Sequence, residues 1–169
     1  MSEAQFLALP EEKPYLEYIE GVVWQKPMPD AIHGRLVMFL GYLFYMYIRR
    51  SGGDGGPERR IRLADGSGYR LPDTAYWAPE RAWGNDSTPS LAVEIRSMDQ
   101  SMAELREKCR AFRRNGVECC WLIDPYARRV EVFEGDRDSH ELAPDDPLEA
   151  AVMPGFTVSQ AELWAEMDR

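Results

Sequence analysis

Hydrophobic and polar residues follow two different periods along the chain. Short apolar or alternating runs, which are typical of β-strands, occur in residues 22–28, 58–80, 90–97, 117–124 and 128–135. Stretches with the spacing and capping residues of a helix occur in residues 10–19, 30–50, 100–115 and 159–167. The order αβα, ββ, βαββ, α predicts a single α/β (α+β) domain over residues 1–169, with a central mixed sheet flanked by helices.

Glycine, proline and acidic residues mark the predicted connections. The sequence SGGDGGP of residues 51–57 predicts a loop, and DGSG of residues 65–68 predicts the turn between two strands. Residues 51–57 do not resemble a phosphate-binding loop, because they lack the GK[ST] ending and do not lead into a helix. Residues 81–89 and 137–147 are predicted surface loops.

Composition limits the class of partner. The 169 residues carry a formal net charge of −9, which argues against a protein that coats nucleic acid through bulk positive charge. An enzyme with a local basic groove is still allowed. Cys109, Cys119 and Cys120 show neither a disulfide framework nor a zinc-site spacing, so we interpret them as core residues in a reducing cytoplasm. The N-terminal residues show no signal-peptide pattern.

The most apolar segment is LVMFLGYLFYMYI, residues 36–48. It is too short to span a bilayer, so we expect no membrane association. A helix that is apolar over most of its surface is either buried or part of an interface. We therefore expect this helix to contribute to the core or to a homodimer.

Two acidic residues occupy notable positions in predicted strands, one at the start of a strand and one inside an apolar strand. Glu94 lies within the apolar run of residues 91–95, and Asp73 follows Pro72. If the two strands pair, their carboxylates converge on a site for a hard cation such as Mg²⁺, and a nearby lysine would polarise a water or stabilise a phosphate. The alternative is structural, since acidic residues are common at strand ends.

Each charge also has an ordinary alternative. Glu94 could pair with Arg96 or Arg62, and Lys108 with Glu104 one helical turn away. Arginines of the predicted helix over residues 100–115 and of the two strands predicted in residues 58–80 could line a groove for phosphates or form surface ion pairs. They are Arg106, Arg110, Arg113 and Arg114 in the helix, and Arg59, Arg60, Arg62 and Arg70 in the strands.

The run VEIRSMDQSMAELREKCRAFRRNGVECCWLIDP, residues 93–125, resembles the Uma2 family of the PD-(D/E)xK nuclease superfamily. The resemblance extends upstream to YLEYIEG, to His33-Gly34 and to Pro72-Asp73, and downstream to MPGFTVSQAELW. These pieces occur in the family's order over nearly the whole chain. Two departures are Phe112, where the family often has tyrosine, and the absence of a proline after Ser97.

The resemblance implies a restriction-endonuclease-like fold and a metal-binding catalytic site. Asp73, Glu94 and the main-chain carbonyl of Ile95 would bind Mg²⁺ or Mn²⁺. Arg96 occupies the position where the superfamily usually has its lysine, so Lys108 on the following helix would be the catalytic lysine. Glu17, on the helix predicted over residues 10–19, would be a further catalytic acid, although it could equally be surface charge.

Three residues are expected near the substrate without a catalytic role. They are His33, Arg96 and Arg106, and His33 could instead be a capping or packing residue. Arginine is a poor proton acceptor because of its high pKa.

The function implied by the resemblance is that of a metal-dependent endonuclease that hydrolyses DNA. A non-catalytic dimeric interaction module that retains the nuclease fold is the alternative. A small-molecule phosphohydrolase using the same site is a third possibility.

Overall fold

A computed structural model describes residues 1–81 and 84–169. Part of the loop predicted at residues 81–89 therefore lies outside the described residues. In these two ranges the elements are α1 (Glu3–Leu7), β1 (Leu16–Ile19), β2 (Val22–Gln25), α2 (Ala31–Ser51), β3 (Asp54–Pro57), β4 (Ile61–Arg62), β5 (Gly68–Arg70), β6 (Thr74–Trp77), β7 (Leu91–Ile95), α3 (Met102–Arg114), β8 (Cys119–Asp124), β9 (Arg129–Glu134), β10 (His140–Glu141) and α4 (Gln160–Met167).

The strands form two sheets. The larger has the order β10-β9-β8-β7-β6-β3 and is mixed, because β7 and β8 are parallel whereas the other neighbours are antiparallel. This sheet and its flanking helices confirm the predicted fold class. The smaller sheet is antiparallel, in the order β2-β1-β5-β4, and was not predicted as a separate sheet.

The larger sheet is covered on both faces. One core cluster joins α2 and α4 to residues such as Val93 and Trp121, and a second joins α3 to residues such as Ala92 and Leu122. All residues of β7 and β8 are buried, as expected of a parallel pair between two helical layers. A charged side chain on β7 is therefore placed in the interior.

The predicted helix over residues 10–19 is wrong. Residues Leu16–Ile19 form β1, which pairs with β2 on one side and β5 on the other. Glu20 and Gly21 have φ of 49° and 85°, the left-handed values that a tight hairpin turn requires. Pairing on both edges outweighs the weak helical pattern, which two prolines already interrupt.

The predicted loop over residues 51–57 is also wrong, because Ser51 ends α2 and Asp54–Pro57 form β3 at the edge of the larger sheet. A Cβ on Gly53 would lie 2.4 Å from the carbonyl oxygen of Trp77, and one on Gly55 would lie 2.9 Å from that of Ala75. The glycines therefore permit close approach of two backbones and do not mark a flexible loop.

Residues 58–80 contain three strands where two were predicted. The turn at residues 65–68 does join β4 to β5 in the smaller sheet, as predicted, but the chain then crosses to the larger sheet as β6. This crossing places Leu71 and Asp73 between the two sheets. The predicted loop over residues 137–147 contains the short strand β10.

The longer helices confirm their predicted positions. Asp30 caps α2 by accepting a hydrogen bond from the amide of His33 at 2.9 Å, and Ser159 caps α4 in a capping box with Glu162. By length and composition α2 could span a membrane, and 28% of its most apolar window is buried inside the structure. Its inner face packs against β3, β6, β7 and α4, so α2 is an integral helix of this fold.

Candidate active site

Asp73 and Glu94 lie at the junction of β6 and β7. The two strands pair with Thr74 opposite Val93, and the carboxylate of Asp73 accepts a hydrogen bond from the amide of Ile95, N to Oδ2 2.7 Å. Glu94 shares a face with Ala92, since alternate residues of a strand point the same way, and that face packs against α3. The predicted pairing of these two strands is thus present, and Asp73 and Glu94 are each at least 97% buried.

Lys108 reaches the same region from α3. Its Nζ lies 2.8 Å from Oε1 of Glu17 and 3.1 Å from Oε1 of Glu94, and it donates a hydrogen bond to the carbonyl of Leu71 at 2.9 Å. The alternative pairing with Glu104 is wrong, because Glu104 is exposed whereas Lys108 is buried. Lys108 is therefore shared between two buried carboxylates.

Glu17 belongs to the smaller sheet. It lies on β1, and its Oε1 also accepts a hydrogen bond from the amide of Leu71 at 2.8 Å. Arg70 lies 3.7 Å from its other oxygen. The alternative interpretation of Glu17 as a surface charge is wrong, since the residue is only 7% exposed.

Two further cations hold Asp73. Nζ of Lys26 lies 2.9 Å from Oδ1, and Nε2 of His33 lies 3.1 Å from Oδ2. Lys26 also lies 3.5 Å from Glu58. His33 thus lies in the predicted site, whereas Lys26 was missed by the sequence interpretation.

One signal in the sequence points to Lys26. The chain has only three lysines, Lys13, Lys26 and Lys108, among many arginines. Two of these three contact the buried carboxylates. Lysine presents a compact charge that arginine cannot reproduce, so a rare lysine in an arginine-rich chain is informative.

The cations and carboxylates set one another's protonation. Burial alone would raise the pKa of Asp73, but Lys26 and His33 outweigh it and hold that pKa well below its usual range. Burial alone would lower the pKa of Lys26, Lys108 and His33, yet the neighbouring carboxylates raise all three. Lys108 lowers the pKa of Glu17 against the effect of burial. Asp73, Glu17, Lys26 and Lys108 are therefore charged at neutral pH.

Glu94 differs from the other two carboxylates. Burial, with a smaller contribution from the charge of Asp73, raises its pKa to about 7 despite the neighbouring Lys108. Within the described ranges its Oε1 is buried and accepts no well-directed hydrogen bond, although Lys108 lies at ion-pair distance. Glu94 therefore has acceptor capacity that the protein itself does not use.

Asp73 and Glu94 are donors of the kind that a hard divalent cation prefers. No group of three or more histidine, cysteine, aspartate and glutamate side chains is arranged as a metal site in residues 1–81 and 84–169. Mg²⁺, however, usually takes only one or two carboxylates together with waters or substrate phosphates. Asp73 and Glu94 provide that number, provided that Lys26 gives up Oδ1 of Asp73.

Arg96 and Arg106 have other partners. The guanidinium of Arg96 lies 3.2 Å from Oδ2 of Asp124, so the alternative in which Arg96 pairs with Glu94 is wrong. Arg106 pairs with Glu131 at 2.8 Å, on the outer part of α3. The structure does not bring either residue to the carboxylates, and their expected contacts with substrate remain predictions.

Most of the remaining candidate arginines form ion pairs. The observed pairs are Arg59 with Asp54, Arg60 with Asp86, Arg62 with Glu3, Arg110 with Asp138 and Arg114 with Glu107, whereas Arg113 donates to main-chain carbonyls. Because Arg62 pairs with Glu3, it is not the partner of Glu94. The ion-pair interpretation is therefore favoured over a continuous phosphate groove.

The fold is shared with a solved structure. A crystal structure titled as a "putative nuclease belonging to DUF820" from Anabaena variabilis ATCC 29413 matches with a TM-score of 0.86 at 23% sequence identity, over 99% of both chains. At that identity the likeness shows the fold alone. No curated protein matches this chain.

A family model covers most of the sequence. The model described as "Uma2: Putative restriction endonuclease" matches residues 3–162. This range includes Glu17, Lys26, Asp73, Glu94 and Lys108. The chain therefore belongs to the Uma2 family.

Proposed function

We propose that residues 1–169 act as one nuclease domain, a metal-dependent endonuclease that hydrolyses phosphodiester bonds of DNA. The observation that carries the proposal is the arrangement of Asp73 and Glu94, buried on paired strands, with Lys108 from the following helix 3.1 Å from Glu94. Burying charges costs several kcal/mol per ion unless they are well paired. A cluster of six ionisable groups in the interior is costly to maintain without a function.

In this proposal Asp73, Glu94 and the main-chain carbonyl of Ile95 would hold Mg²⁺ or Mn²⁺. When bound, the ion would lower the pKa of a water and stabilise charge on a phosphate. His33 and the amide of Ile95 fix Oδ2 of Asp73, so that Oδ1 is the oxygen freed when Lys26 moves. The chain's own groups thus orient the carboxylate before any ligand arrives.

Lys108 acts in this proposal as a fixed positive charge. Its raised pKa keeps the ammonium protonated, so it is not a general base. Its ion pair with Glu17 and its hydrogen bond to the carbonyl of Leu71 hold the ammonium beside Glu94. From there it would stabilise negative charge on a phosphate or orient the attacking water. Glu17 is accordingly a positioning residue, which acts through Lys108.

The comparisons support the same activity. The matching family is described as "Putative restriction endonuclease", and the Anabaena protein of the same fold is titled as a "putative nuclease". Because fold alone does not imply function, the proposal depends on the residues of the site.

The second candidate function is a non-catalytic dimeric module. The net charge of −9 and the ion-paired arginines favour it, since both weaken attraction to duplex DNA. It does not account for the burial of Asp73, Glu94 and Lys108 in one cluster. We therefore place it second.

Either function is compatible with a homodimer formed through α2. One side of this helix exposes Met38, Tyr42, Tyr45 and Met46, each more than half exposed and spaced as a single helical stripe. Contiguous apolar surface of this kind is typical of interfaces. Sedimentation is expected to give a dimer for the wild type and a monomer for Tyr42→Arg. A wild-type monomer would contradict the homodimer.

A reducing cytoplasm is the compartment that the cysteines favour. Cys109, Cys119 and Cys120 are buried and free. Burial raises the pKa of the Cys119 thiol above its usual value, which makes it unreactive.

The proposal is tested by incubating plasmid and single-stranded DNA with the wild type, Glu94→Ala and Lys108→Ala. Cleavage is expected with Mg²⁺ or Mn²⁺, to stop with a chelator, and to fall by at least about 100-fold in both variants. Circular dichroism checks that the variants fold. Activity that persists in both would contradict the site, and absence of wild-type activity on any nucleic acid would favour the module.

A further inference from the structure

An exposed tryptophan lies beside the buried carboxylates. In the antiparallel pairing of β1 and β2, Trp24 stands directly opposite Glu17, so the two side chains share one face of the smaller sheet. The pairing continues past the strand, since the amide of Lys26 donates to the carbonyl of Tyr15 at 2.9 Å. Lys26, two residues after Trp24, therefore lies on the same face and reaches Asp73.

The opposite face of this sheet is covered by α1. Tyr18 and Val23, which alternate with Glu17 and Trp24, pack with Phe6. Trp24 is 60% exposed, whereas Trp77 and Trp121 are fully buried. Trp24 is thus held on a paired strand, at the solvent edge of the face that carries Glu17 and Lys26.

Two exposed methionines lie near Asp30, the N-terminal cap of α2. Met28, 71% exposed, lies in the short segment between Lys26 and the α2 cap Asp30, and Met98, 64% exposed, donates its amide to Asp30 at 3.1 Å. Asp30 also accepts a hydrogen bond from the amide of His33. Exposed apolar side chains therefore stand on both segments that meet at Asp30, the cap of the helix that carries His33.

We propose that Trp24 stacks a nucleobase of the substrate next to the phosphate bound at the carboxylates. This inference rests on the proposed nuclease function and deepens it by naming a substrate class. A base can offer its face to an indole only when it is unstacked, so the preferred substrate is single-stranded, or contains an unpaired end or loop.

Charge favours the same substrate. Duplex DNA presents one phosphate charge per about 1.7 Å, and this chain carries a net charge of −9 with many of its arginines already ion-paired. Stacking on an aromatic side chain does not depend on positive charge and tolerates any base sequence. A protein with this surface gains more from an aromatic platform than from further phosphate contacts.

The test compares the wild type with Trp24→Ala, Trp24→Phe and the control Val22→Ala. Val22 is on the same strand and is 50% exposed, but lies two residues farther from Lys26. Binding of a labelled single strand and of its duplex is measured by fluorescence anisotropy with Ca²⁺ in place of Mg²⁺. Plasmid and single-strand cleavage with Mg²⁺ is measured in parallel.

Trp24→Ala is expected to weaken single-strand binding by about tenfold, with a smaller effect on the duplex. Trp24→Phe is expected to restore most of the affinity, because it keeps an aromatic face, and Val22→Ala is expected to bind as the wild type does. Single-stranded DNA is also expected to quench tryptophan fluorescence in the wild type much more than in Trp24→Phe.

Two results overturn the inference, and they are distinguishable. If the wild type cleaves DNA and Trp24→Ala binds single strands as tightly as Val22→Ala, the stacking role is wrong while the nuclease function stands. If the wild type neither cleaves nor binds any of these nucleic acids, the nuclease function is wrong and the stacking role falls with it.

Discussion

The ammonium of Lys108 on α3 lies 2.8 Å from a carboxylate oxygen of Glu17 on β1, and both groups are buried. This pair joins the helix of the larger sheet to a strand of the smaller sheet. Lys108 also contacts Glu94, so one ammonium group is shared by two carboxyl groups. Lys26 and His33 both contact Asp73. Removing one of these charges is therefore expected to disturb both the fold and the candidate site.

Replacing Lys108 by methionine is expected to destabilise the protein by about 3–5 kcal/mol, because two buried carboxylates lose their shared cation. The free energy of unfolding is measured with urea. Adding Glu17→Gln to this variant is expected to recover part of the loss, since one uncompensated charge is removed. The control is Arg110→Met on the same helix, which breaks only surface ion pairs, with Asp138 and Glu107, and is expected to change stability little. Equal losses in Lys108→Met and Arg110→Met would contradict the interior pairing.

Lys26→Met is expected to tighten the binding of Mn²⁺ by roughly tenfold, because it frees Oδ1 of Asp73 and removes one positive charge from the site. Binding is measured by titration calorimetry in the absence of DNA. Lys13→Met, which removes one of the other two lysines, controls for net charge. Unchanged or weaker Mn²⁺ binding by Lys26→Met would show that Lys26 does not compete with the metal.

The α2 cap is expected to make stability depend on pH. Burial would raise the pKa of Asp30, but hydrogen bonds from the His33 amide, the Tyr126 hydroxyl and the Met98 amide hold it below its usual 3.8. A lowered carboxyl pKa stabilises the fold fully above the unfolded value and loses that contribution as the pH falls through the folded one. The difference in unfolding free energy between wild type and Asp30→Asn is therefore expected to shrink from pH 6 to about pH 3. A difference that stays constant would exclude this role of the charge.

Gly53→Ala is expected to be severely destabilising, because its φ is +94° and a Cβ would lie 2.4 Å from the carbonyl oxygen of Trp77. Gly66→Ala is the matched control, with φ of +77° and nothing within 4 Å of the added atom. We expect the first variant to lose at least about 2 kcal/mol more than the second. Thermal unfolding measures both, and equal losses would mean that β3 can move away from β6.

The buried strands and the long helices could be predicted from sequence because their patterns are local. β7, β8, α2 and α3 have continuous apolar runs or helical spacing with recognisable caps. β1 and β3 could not be predicted, since each depends on a partner distant in sequence: β1 pairs with β5, and β3 pairs with β6. In such cases long-range pairing overrides local propensity.

Residues of the candidate site could be predicted where they differ from their neighbours in the sequence or match the family pattern. Glu94 is a charge within an apolar strand, and Asp73 and Lys108 occupy positions of the family pattern. Lys26 has no such mark beyond its rarity, because its role depends on the register of the β1–β2 hairpin, whose first strand was predicted as a helix. The same error hid the placement of Trp24 opposite Glu17.

The rate of plasmid nicking by Glu94→Gln, compared with Glu104→Gln, tests the central claim most directly. Both changes replace an ionisable carboxyl group by an amide of the same size, but Glu94 is buried at the site and Glu104 is exposed on α3. With saturating Mn²⁺, Glu94→Gln is expected to be at least about 100-fold slower than the wild type, and Glu104→Gln is expected to match it. Equal rates for the two variants would contradict a catalytic site at Asp73, Glu94 and Lys108.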